Sequence, residues 1–291
     1  MHEAVSQGHD PMNSAGAERY PFGAVSLGFL AVTALSGVAL APLYRPEAAL
    51  ESVEAIQGGL AWAWMLRGVH AYSAVGFLLA TGVHLVDVVW KGGQLRMPAA
   101  VWWRSILLLP LALAGMLTGF LLRGDAEASA ALQVARGVMG TIPFLGSEIA
   151  TFLMGPAGAG LGPVAVHHAG TFTLRPWLLA IEHGRRAWPD RRSWVIALLA
   201  SVAVAGVVPV SLGQVEGTGA GLLGPWYLLG LQGLLLDLPV PAAWLIPAMA
   251  LAGLGLLAHA QGRTRKALLG GLLLAVLAWA AWTVRLLAAE A

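Results

Sequence analysis

Cysteine is absent from the 291-residue chain. Disulfide bonds, iron–sulfur clusters carried by this chain and thioether-linked haem are therefore excluded, because each needs cysteine sulfur. Charged residues are also scarce, at 11% of the chain against 58% hydrophobic residues. This balance lies far outside that of soluble globular domains and predicts an all-α integral membrane protein.

The few charged residues argue against a nucleic-acid partner. The net charge is only +2, and the basic residues form short clusters between apolar segments rather than one broad basic face. Residues 1–20 are polar and lack the apolar core of a signal peptide. We expect them to form a disordered or surface-lying tail, and we expect membrane lipid to surround the rest.

Two pairs of histidines interrupt the apolar sequence. His70 and His84 are fourteen residues apart, and His168 and His183 are fifteen apart. Both intervals are close to four helical turns, so each helix presents two imidazoles on one face, about 21 Å apart. An ionisable side chain inside a bilayer marks a functional site by default, and imidazole is a common axial ligand of haem iron. Two such helices can clamp two metal centres, whereas the structural alternative is a hydrogen bond from each histidine to a neighbouring helix.

The apolar segments predict seven membrane-spanning helices, each about long enough for a hydrocarbon core of ~30 Å. They cover residues 24–44, 58–90, 105–122, 162–183, 193–212, 241–259 and 267–287. Shorter helical pieces are predicted at 127–138 and 145–154, and the fifth and sixth spans are joined by a Gly-rich loop.

Charge in the linkers supports this count. The linkers 91–104, 185–192 and 263–266 hold ten Lys or Arg and one acid, whereas the alternate linkers hold three Arg and eight acids. The positive-inside rule then places the amino terminus in the cytoplasm and the carboxyl terminus in the periplasm, within the inner (cytoplasmic) membrane. His70 and His168 lie near the outer face, and His84 and His183 lie near the inner face.

Other residues near the histidines have two readings. Gly23 and Gly37 share the fourteen-residue period, and they provide either room for a flat macrocycle or ordinary small-residue helix packing. Arg67, one turn before His70, can reach a haem propionate or snorkel to the interface. His167 is interpreted as a pocket or structural residue, and His259 as an exposed or interfacial one.

These motifs resemble cytochrome b of the bc and b-f complexes, the quinol:cytochrome c or plastocyanin oxidoreductases. The resemblance is carried by residues 22–23, 36–37, 44–46, 66–70, 82–84, 119–122, 137–138 and 142–146, together with His168 and His183. The fifteen-residue interval and the four-plus-three arrangement of spans are closer to the b-f branch, here fused into one polypeptide. The implied domains are a tail (1–20), a four-helix di-haem bundle (21–188) and a three-helix domain (189–291).

The resemblance implies two non-covalent b-type haems and electron transfer between them and quinol or quinone. His70 and His168 would ligate the outer, low-potential haem iron, and His84 and His183 the inner, high-potential one. The other residues that it places at the haems are Arg67, Gly23, Gly37, Gly119 and Ser105, the last of which replaces a family glycine. The implied partners are a c-type cytochrome and a Rieske-type or other iron–sulfur subunit, in a dimeric respiratory or photosynthetic complex.

The outer quinol site departs from the family pattern. Where the family has Pro-Glu-Trp-Tyr, this chain has Gly-Pro-Trp-Tyr at 224–227, so Pro225 replaces the glutamate that takes a proton from quinol. The candidates for this outer site are Asp125, Glu127, Glu148, Trp226 and Tyr227.

Three functions stay open at this point. The first is the membrane subunit of a bc-type quinol oxidoreductase. The second is a di-haem electron conduit or anchor in another respiratory complex, without bifurcating outer quinol oxidation. The third is a haem-free membrane scaffold or transporter, which a reduced-minus-oxidised spectrum would distinguish from the other two.

Overall fold

The computed structural model describes residues 21–184, 187–213 and 223–290, and all regular structure within these ranges is helical. The predicted tail at 1–20 lies outside the described residues. The α-helices are α1 (Pro21–Leu40), α2 (Ala49–Gly58), α3 (Ala63–Trp90), α4 (Ala99–Ile106), α5 (Leu108–Leu121), α6 (Ala126–Gly140), α7 (Gly146–Met154), α8 (Gly162–Ala169), α9 (Arg175–Gly184), α10 (Arg191–Val207), α11 (Leu229–Asp237), α12 (Ala242–Leu256) and α13 (Gly262–Glu290). A π-helical turn, Gly170–Leu174, joins α8 to α9.

Four helical segments in the described ranges are long and apolar enough to cross a membrane. They are Pro21–Leu43, Ala63–Trp90, Ala99–Leu121 and Gly262–Ala289. The prediction of an all-helical membrane protein is therefore confirmed. The other three predicted spans correspond to α8 with α9, to α10 and to α12, which are interrupted or shorter, so the count of seven stays a prediction.

One helix boundary and one loop differ from those expected. The third span begins at Ala99 rather than after Arg104, and Trp102 in its first turns is buried against Val88. Residues 229–237, expected within a Gly-rich loop, form α11. Glycine costs a helix about 1 kcal/mol relative to alanine, which favours the loop on sequence grounds, but packing against α13 overrides this preference. The pieces predicted at 127–138 and 145–154 are confirmed as α6 and α7.

A buried apolar layer fills the middle of the bundle formed by α1, α3 and α5. Its buried members are Leu27, Leu30, Phe77, Leu78, Ala112 and Met116. Leu30 lies midway between Gly23 and Gly37, and Phe77 lies midway between His70 and His84. Ala112 lies midway between Ser105 of α4 and Gly119 of α5. The layer therefore separates two levels, which we call the 70/168 level and the 84/183 level after their histidines.

Helix α10 packs along α1 and α3 through two close glycine contacts. A Cβ at Gly28 would meet the carbonyl of Ser193 near one end of α10, and a Cβ at Gly68 would lie 2.8 Å from Ala205 Cβ near the other end. Glycine is required at both positions because the backbones approach so closely. Helix α10 therefore runs alongside both levels although it has only 17 residues.

Helices α12 and α13 also reach both ends of the molecule. Trp244 Nε1, near the start of α12, donates to Thr141 Oγ1 (3.1 Å), and Trp102 Nε1 donates to the carbonyl of Leu254 (3.0 Å) near its end. Helix α13 is held by hydrogen bonds at its two ends: Arg265 Nη2 donates to the carbonyl of Val89 (3.2 Å), and Arg285 Nη1 donates to Asp237 Oδ2 (2.8 Å).

We expect Gly233→Val to destabilise the contact between α11 and α13. A Cβ at Gly233 would lie 2.7 Å from Trp282 Cβ, whereas a Cβ at Gly270, within α13 itself, would have open space for 4 Å around it. Overpacking of this kind lowers the free energy of unfolding by about 1–3 kcal/mol. Thermal unfolding followed by circular dichroism should show a lower Tm for Gly233→Val than for Gly270→Val, and equal values would contradict the packing described.

Candidate functional site

The four predicted histidines form two pairs, one at each level. The ring centroids of His70 and His168 are 6.0 Å apart, and those of His84 and His183 are also 6.0 Å apart. Helix α3 supplies one member of each pair, and α8 and α9 supply the other. The rings are crossed at 75° and 65°, so neither pair is stacked face to face. The antiparallel pairing expected from the linker charges is the one found.

The π-helical turn explains how intervals of fourteen and fifteen residues match. At about 100° per residue, fourteen α-helical residues end about 40° short of four full turns, whereas fifteen end about 60° past them. A π turn absorbs one additional residue, so the interval from His168 to His183 turns through about the same angle as that on α3. Thr173 Oγ1 donates to the carbonyl of His168 (2.9 Å) across this turn.

Backbone carbonyls orient the two imidazoles of the 70/168 level. His70 Nδ1 lies 3.0 Å from the carbonyl oxygen of Thr33, and His168 Nδ1 lies 3.1 Å from that of Gly115. Because a carbonyl oxygen only accepts, each Nδ1 carries the proton and each Nε2 keeps a lone pair. That tautomer is the one that can ligate a metal through Nε2.

Hydroxyl groups make a second contact of the same kind. The hydroxyl-to-Nδ1 distances are 3.2 Å for Ser36 and His70, 3.1 Å for Thr118 and His168, and 2.9 Å for Ser105 and His183. Each hydroxyl donates its own hydrogen to a carbonyl one turn earlier in its helix. Its oxygen therefore accepts from the imidazole N–H, an arrangement that raises the basicity of a ligating histidine.

Small residues face the histidine rings directly. A Cβ would lie 3.0 Å from an imidazole Cε1 at three positions: Gly23 facing His84, Gly37 facing His70 and Gly119 facing His168. Ser105 occupies the equivalent position beside His183 and contributes its hydroxyl instead. A methyl group at a glycine position would crowd the ring, so glycine there lets the imidazole edge lie against the neighbouring helix.

The separation within each pair fits a haem held between two imidazoles. With about 2 Å for each metal–imidazole bond plus the radius of each ring, the expected centroid distance is about 6 Å. Among the described residues no group of three or more His, Asp or Glu side chains could hold a metal ion. Two imidazoles alone leave the other coordination positions to a ligand such as the porphyrin nitrogens, so the donor set fits haem rather than a bare ion.

Arg67 is engaged with other protein groups. Its Nη1 donates to Gln57 Oε1 (2.6 Å) and to the carbonyl of Val210 (3.0 Å), and its Nη2 donates to the carbonyl of Ser211 (3.2 Å). These bonds tie α3 to α2 and to the segment after α10. A contact between Arg67 and a propionate stays a prediction.

The acids proposed for the outer quinol site lie in two different environments. Asp125 is 2% exposed, forms the N-cap of α6 by accepting from Ala128 N (2.9 Å), and pairs with Arg123. Glu127 pairs with the same guanidinium at 3.0 Å. Glu148 is exposed, and the hydroxyl of Ser147 holds the pKa of its carboxyl below the ordinary value.

Trp226 and Tyr227 adjoin each other at the end of the bundle that carries the 70/168 level. Their rings are in edge contact at 5.7 Å, and the Tyr227 hydroxyl donates to the carbonyl of Met116 (3.1 Å). Tyr227 also packs against the apolar layer. Its hydroxyl is therefore used to dock the segment before α11 on α5.

The two remaining histidines are separate from the pairs. His167 Nε2 donates to the carbonyl of Phe152 (2.9 Å) and its ring packs on Phe152 at 4.6 Å, so it links α8 to α7. His259 is exposed beyond the end of α12.

Sequence reasoning missed the hydroxyl partners Ser36 and Thr118. Each immediately precedes a glycine that faces a histidine, Gly37 or Gly119. A hydroxyl-glycine dipeptide at this spacing was the available signal.

Comparisons with known proteins find similar sequences over the first part of the chain. A family model described as cytochrome b/b6/petB matches residues 9–182, ending one residue before His183. Cytochrome b6 of Gloeobacter violaceus is 32% identical over 165 residues, covering 56% of this chain and 76% of that protein. Cytochrome b6 of Acaryochloris marina is 28% identical over 165 residues, with the same two coverages.

A solved structure also has a similar fold. A chain of the structure titled "Hyperthermophilic respiratory Complex III" superposes with a TM-score of 0.65 at 18% identity, covering 93% of this chain and 88% of that one. The likeness extends beyond the region matched by the sequence comparisons and concerns the fold alone.

Proposed function

The chain belongs to the cytochrome b/b6/petB family, and on that premise we propose that it holds two b-type haems, one at each level. Membership of this family makes the chain a haem-binding electron-transfer subunit of the membrane. The number of haems, the residues that ligate them and the complex to which the chain belongs are proposals. His70 with His168 and His84 with His183 are the proposed iron ligands. The single observation that supports this most strongly is the equal 6.0 Å separation of the two pairs.

The residues of the chain prepare each level for one-electron chemistry, which a bound haem supplies. Hydrogen bonds at Nδ1 of His70, His168 and His183 fix the orientation of these imidazoles and leave each Nε2 directed away from the helix that makes the bond. Leu30, Phe77 and Ala112 keep the space between the levels apolar. Water and protons are thereby excluded from the middle of the bundle.

The same arrangement supports the seven-span topology, with a four-helix bundle over 21–188 and three further helices over 189–291. Helices α10, α12 and α13 each make contacts near both levels, as a crossing helix must. The linker charges support an amino terminus in the cytoplasm and a carboxyl terminus in the periplasm.

We further propose that the chain serves a bc-type respiratory or photosynthetic complex, exchanging electrons with quinone and with c-type cytochrome and iron–sulfur partners in a dimer. Two observations favour a simpler conduit that lacks bifurcating outer quinol oxidation. Pro225 stands where the family glutamate would be, and Asp125 and Glu127 are both paired with Arg123. Both carboxylates are therefore already engaged by a guanidinium, whereas a proton acceptor for quinol must lie within hydrogen-bond reach of it.

A reduced-minus-oxidised spectrum of the purified full chain, combined with haem content per polypeptide, tests the proposal. We expect b-type absorption and two haems per chain. One haem or none would contradict it. Sensitivity of quinol-driven haem reduction to outer-site inhibitors, measured in the intact complex, would separate the bifurcating enzyme from the conduit.

Ser105→Ala is expected to raise the reduction potential of the haem at the 84/183 level. Ser105 Oγ accepts from His183 Nδ1 at 2.9 Å, and losing this bond makes the imidazole a weaker donor to oxidised iron. A hydrogen bond of about 1 kcal/mol corresponds to about 40 mV for one electron. Redox titration of the haem spectrum measures the shift.

The matched control is Thr118→Val. His168 Nδ1 keeps its bond to the carbonyl of Gly115 when the Thr118 hydroxyl is lost, so we expect a smaller shift, confined to the other haem. No shift at the 84/183 level in Ser105→Ala would contradict an action of the Ser105 hydroxyl on His183.

A further inference from the structure

Two hydroxyl groups join α1 to α3 close to His70. Thr33 Oγ1 of α1 donates to Ser73 Oγ of α3 at 2.8 Å, and Ser73 is completely buried, with 0% of its surface exposed. The Thr33 hydroxyl also lies 2.8 Å from the carbonyl oxygen of Phe29, and the Ser73 hydroxyl donates to the carbonyl of His70 at 3.0 Å. A chain of hydrogen-bonding groups therefore runs from α1 to the backbone of His70.

The imidazole of His70 depends on the same stretch of α1. Its Nδ1 lies 3.0 Å from the carbonyl oxygen of Thr33 and 3.2 Å from Ser36 Oγ, three residues further along α1. Both acceptors belong to α1, whereas His70 belongs to α3. The orientation of this imidazole is therefore sensitive to how α1 lies against α3, which the bond between Thr33 and Ser73 holds in place.

A simpler role for a buried serine is to satisfy its hydroxyl within its own helix. Ser201 of α10 is such a residue, since it is 1% exposed and its hydroxyl donates to the carbonyl of Ala197, four residues earlier, at 2.7 Å. Ser73 has the equivalent contact with His70 but also accepts from a second helix. The residue that donates to it is the one whose carbonyl orients a proposed iron ligand.

We infer that Ser73 is a positioning residue for the haem at the 70/168 level, and this inference rests on the proposed function. By holding Thr33, Ser73 keeps the Thr33 carbonyl in line with His70 Nδ1. This hydrogen bond maintains the basicity of the imidazole, and a more basic axial ligand stabilises oxidised iron and lowers the reduction potential. Ser73 thus acts on the haem through Thr33 and His70.

Removal of the Ser73 hydroxyl is expected to leave the two helices docked. Ser26 Oγ and Thr81 Oγ1 form a second hydrogen bond between α1 and α3, at 2.6 Å, on the side of the 84/183 level. Leu30 and Phe77 of the apolar layer pack between the two hydroxyl pairs. Ser73→Ala removes one intramolecular hydrogen bond between the helices, so the variant should fold.

Redox titration and electron paramagnetic resonance of the purified full chain test the inference. In Ser73→Ala we expect a higher potential for the 70/168 haem, identified as the component that His168→Leu removes. A threefold shift in its one-electron equilibrium corresponds to about 30 mV. Its low-spin ferric signal should also move, because the g-values depend on the angle between the imidazole planes, which is 75° for His70 and His168. The haem at the 84/183 level should be unchanged.

Variants of the donor separate a specific bond from general loosening. Thr33→Val keeps the side-chain shape and the carbonyl but loses the hydroxyl, so it should give the same shift as Ser73→Ala. Combining the two substitutions should add no further shift, because both remove the same bond. Thr33→Ser keeps the hydroxyl and should behave as the wild type does. If Ser73→Ala loses haem, Thr33→Val decides.

Ser201→Ala is the matched control, since it removes a buried hydroxyl that bonds only to a carbonyl of its own helix among the hydrogen bonds of the described residues. Equal shifts in Ser73→Ala and Ser201→Ala, or equal shifts of both haems, would overturn the inference. Haem content is measured in the same samples. Two haems with unchanged potentials and spectra in Ser73→Ala contradict this inference alone, whereas fewer than two haems in the wild type contradict the proposed function.

Discussion

Replacing His168 by leucine is expected to leave the purified chain with one haem instead of two. The leucine removes one of the two imidazoles of the 70/168 level and is tolerated by a membrane helix, while the pair formed by His84 and His183 is untouched. A haem at this level would then be held by His70 alone and would be bound more weakly, so the expected content falls by about half. Haem extraction measures the content, and a redox titration should show a single component.

The neighbouring histidine provides the control. His167→Leu removes an imidazole of the same helix, but His167 bonds to the carbonyl of Phe152 and faces away from the pair. Two haems should remain in this variant. Equal haem contents in His167→Leu and His168→Leu would contradict the assignment of ligands, whichever value they share.

Insertion of one alanine next to Thr171 is expected to abolish haem binding at one level. Sixteen residues between His168 and His183 turn about 160° past four full helical turns if the helix is regular, so one imidazole leaves the shared face. The π turn already absorbs one extra residue and has no room for a second. Haem content and the redox titration should again report one component.

Deletion of Thr171 gives the contrasting result. The interval becomes fourteen residues, equal to that on α3, and a regular α-helix then suffices to keep both imidazoles on one face. Two haems should be retained. An alanine inserted beside Gly158, in the loop between α7 and α8, controls for the effect of insertion alone. If that variant also loses haem, the deletion of Thr171 decides. Loss of haem in the deletion variant contradicts the proposed role of the π turn.

The sequence was sufficient to find the histidine pairs because imidazoles in apolar segments are rare and their spacing is periodic. The linker charges then predicted the direction of each helix and the pairing of the histidines, and the structure has the same pairing. The π turn was not predictable, because Gly170–Leu174 contains no residue type that specifies it. The need for an extra residue in a turn follows only from comparing two intervals: fourteen residues from His70 to His84 on α3, and fifteen from His168 to His183 on the opposite helix.

For the candidate acids Asp125 and Glu127, the sequence also carries a sign of their ion pairs. Arg123 lies two residues before one and four residues before the other, and the second interval is the usual one for an ion pair on a helix. The structure places both carboxylates on this guanidinium. Helix α11 was not predicted because Gly230 and Gly233 lower helix propensity. Only the folded structure shows that these glycines make room for tryptophans of α13.

The apolar layer at Leu30, Phe77 and Ala112 has an electrical consequence in the proposed arrangement. It holds the two redox levels about 21 Å apart along the bundle, roughly two-thirds of a hydrocarbon core of ~30 Å. An electron that passes from one level to the other without an accompanying proton moves charge through most of the transmembrane voltage. At about 2.3 kcal/mol per charge for each 100 mV across the full membrane, that step changes by about 1.5 kcal/mol per 100 mV. In the proposed arrangement, the electron equilibrium between the two levels would therefore be set partly by the energised state of the membrane.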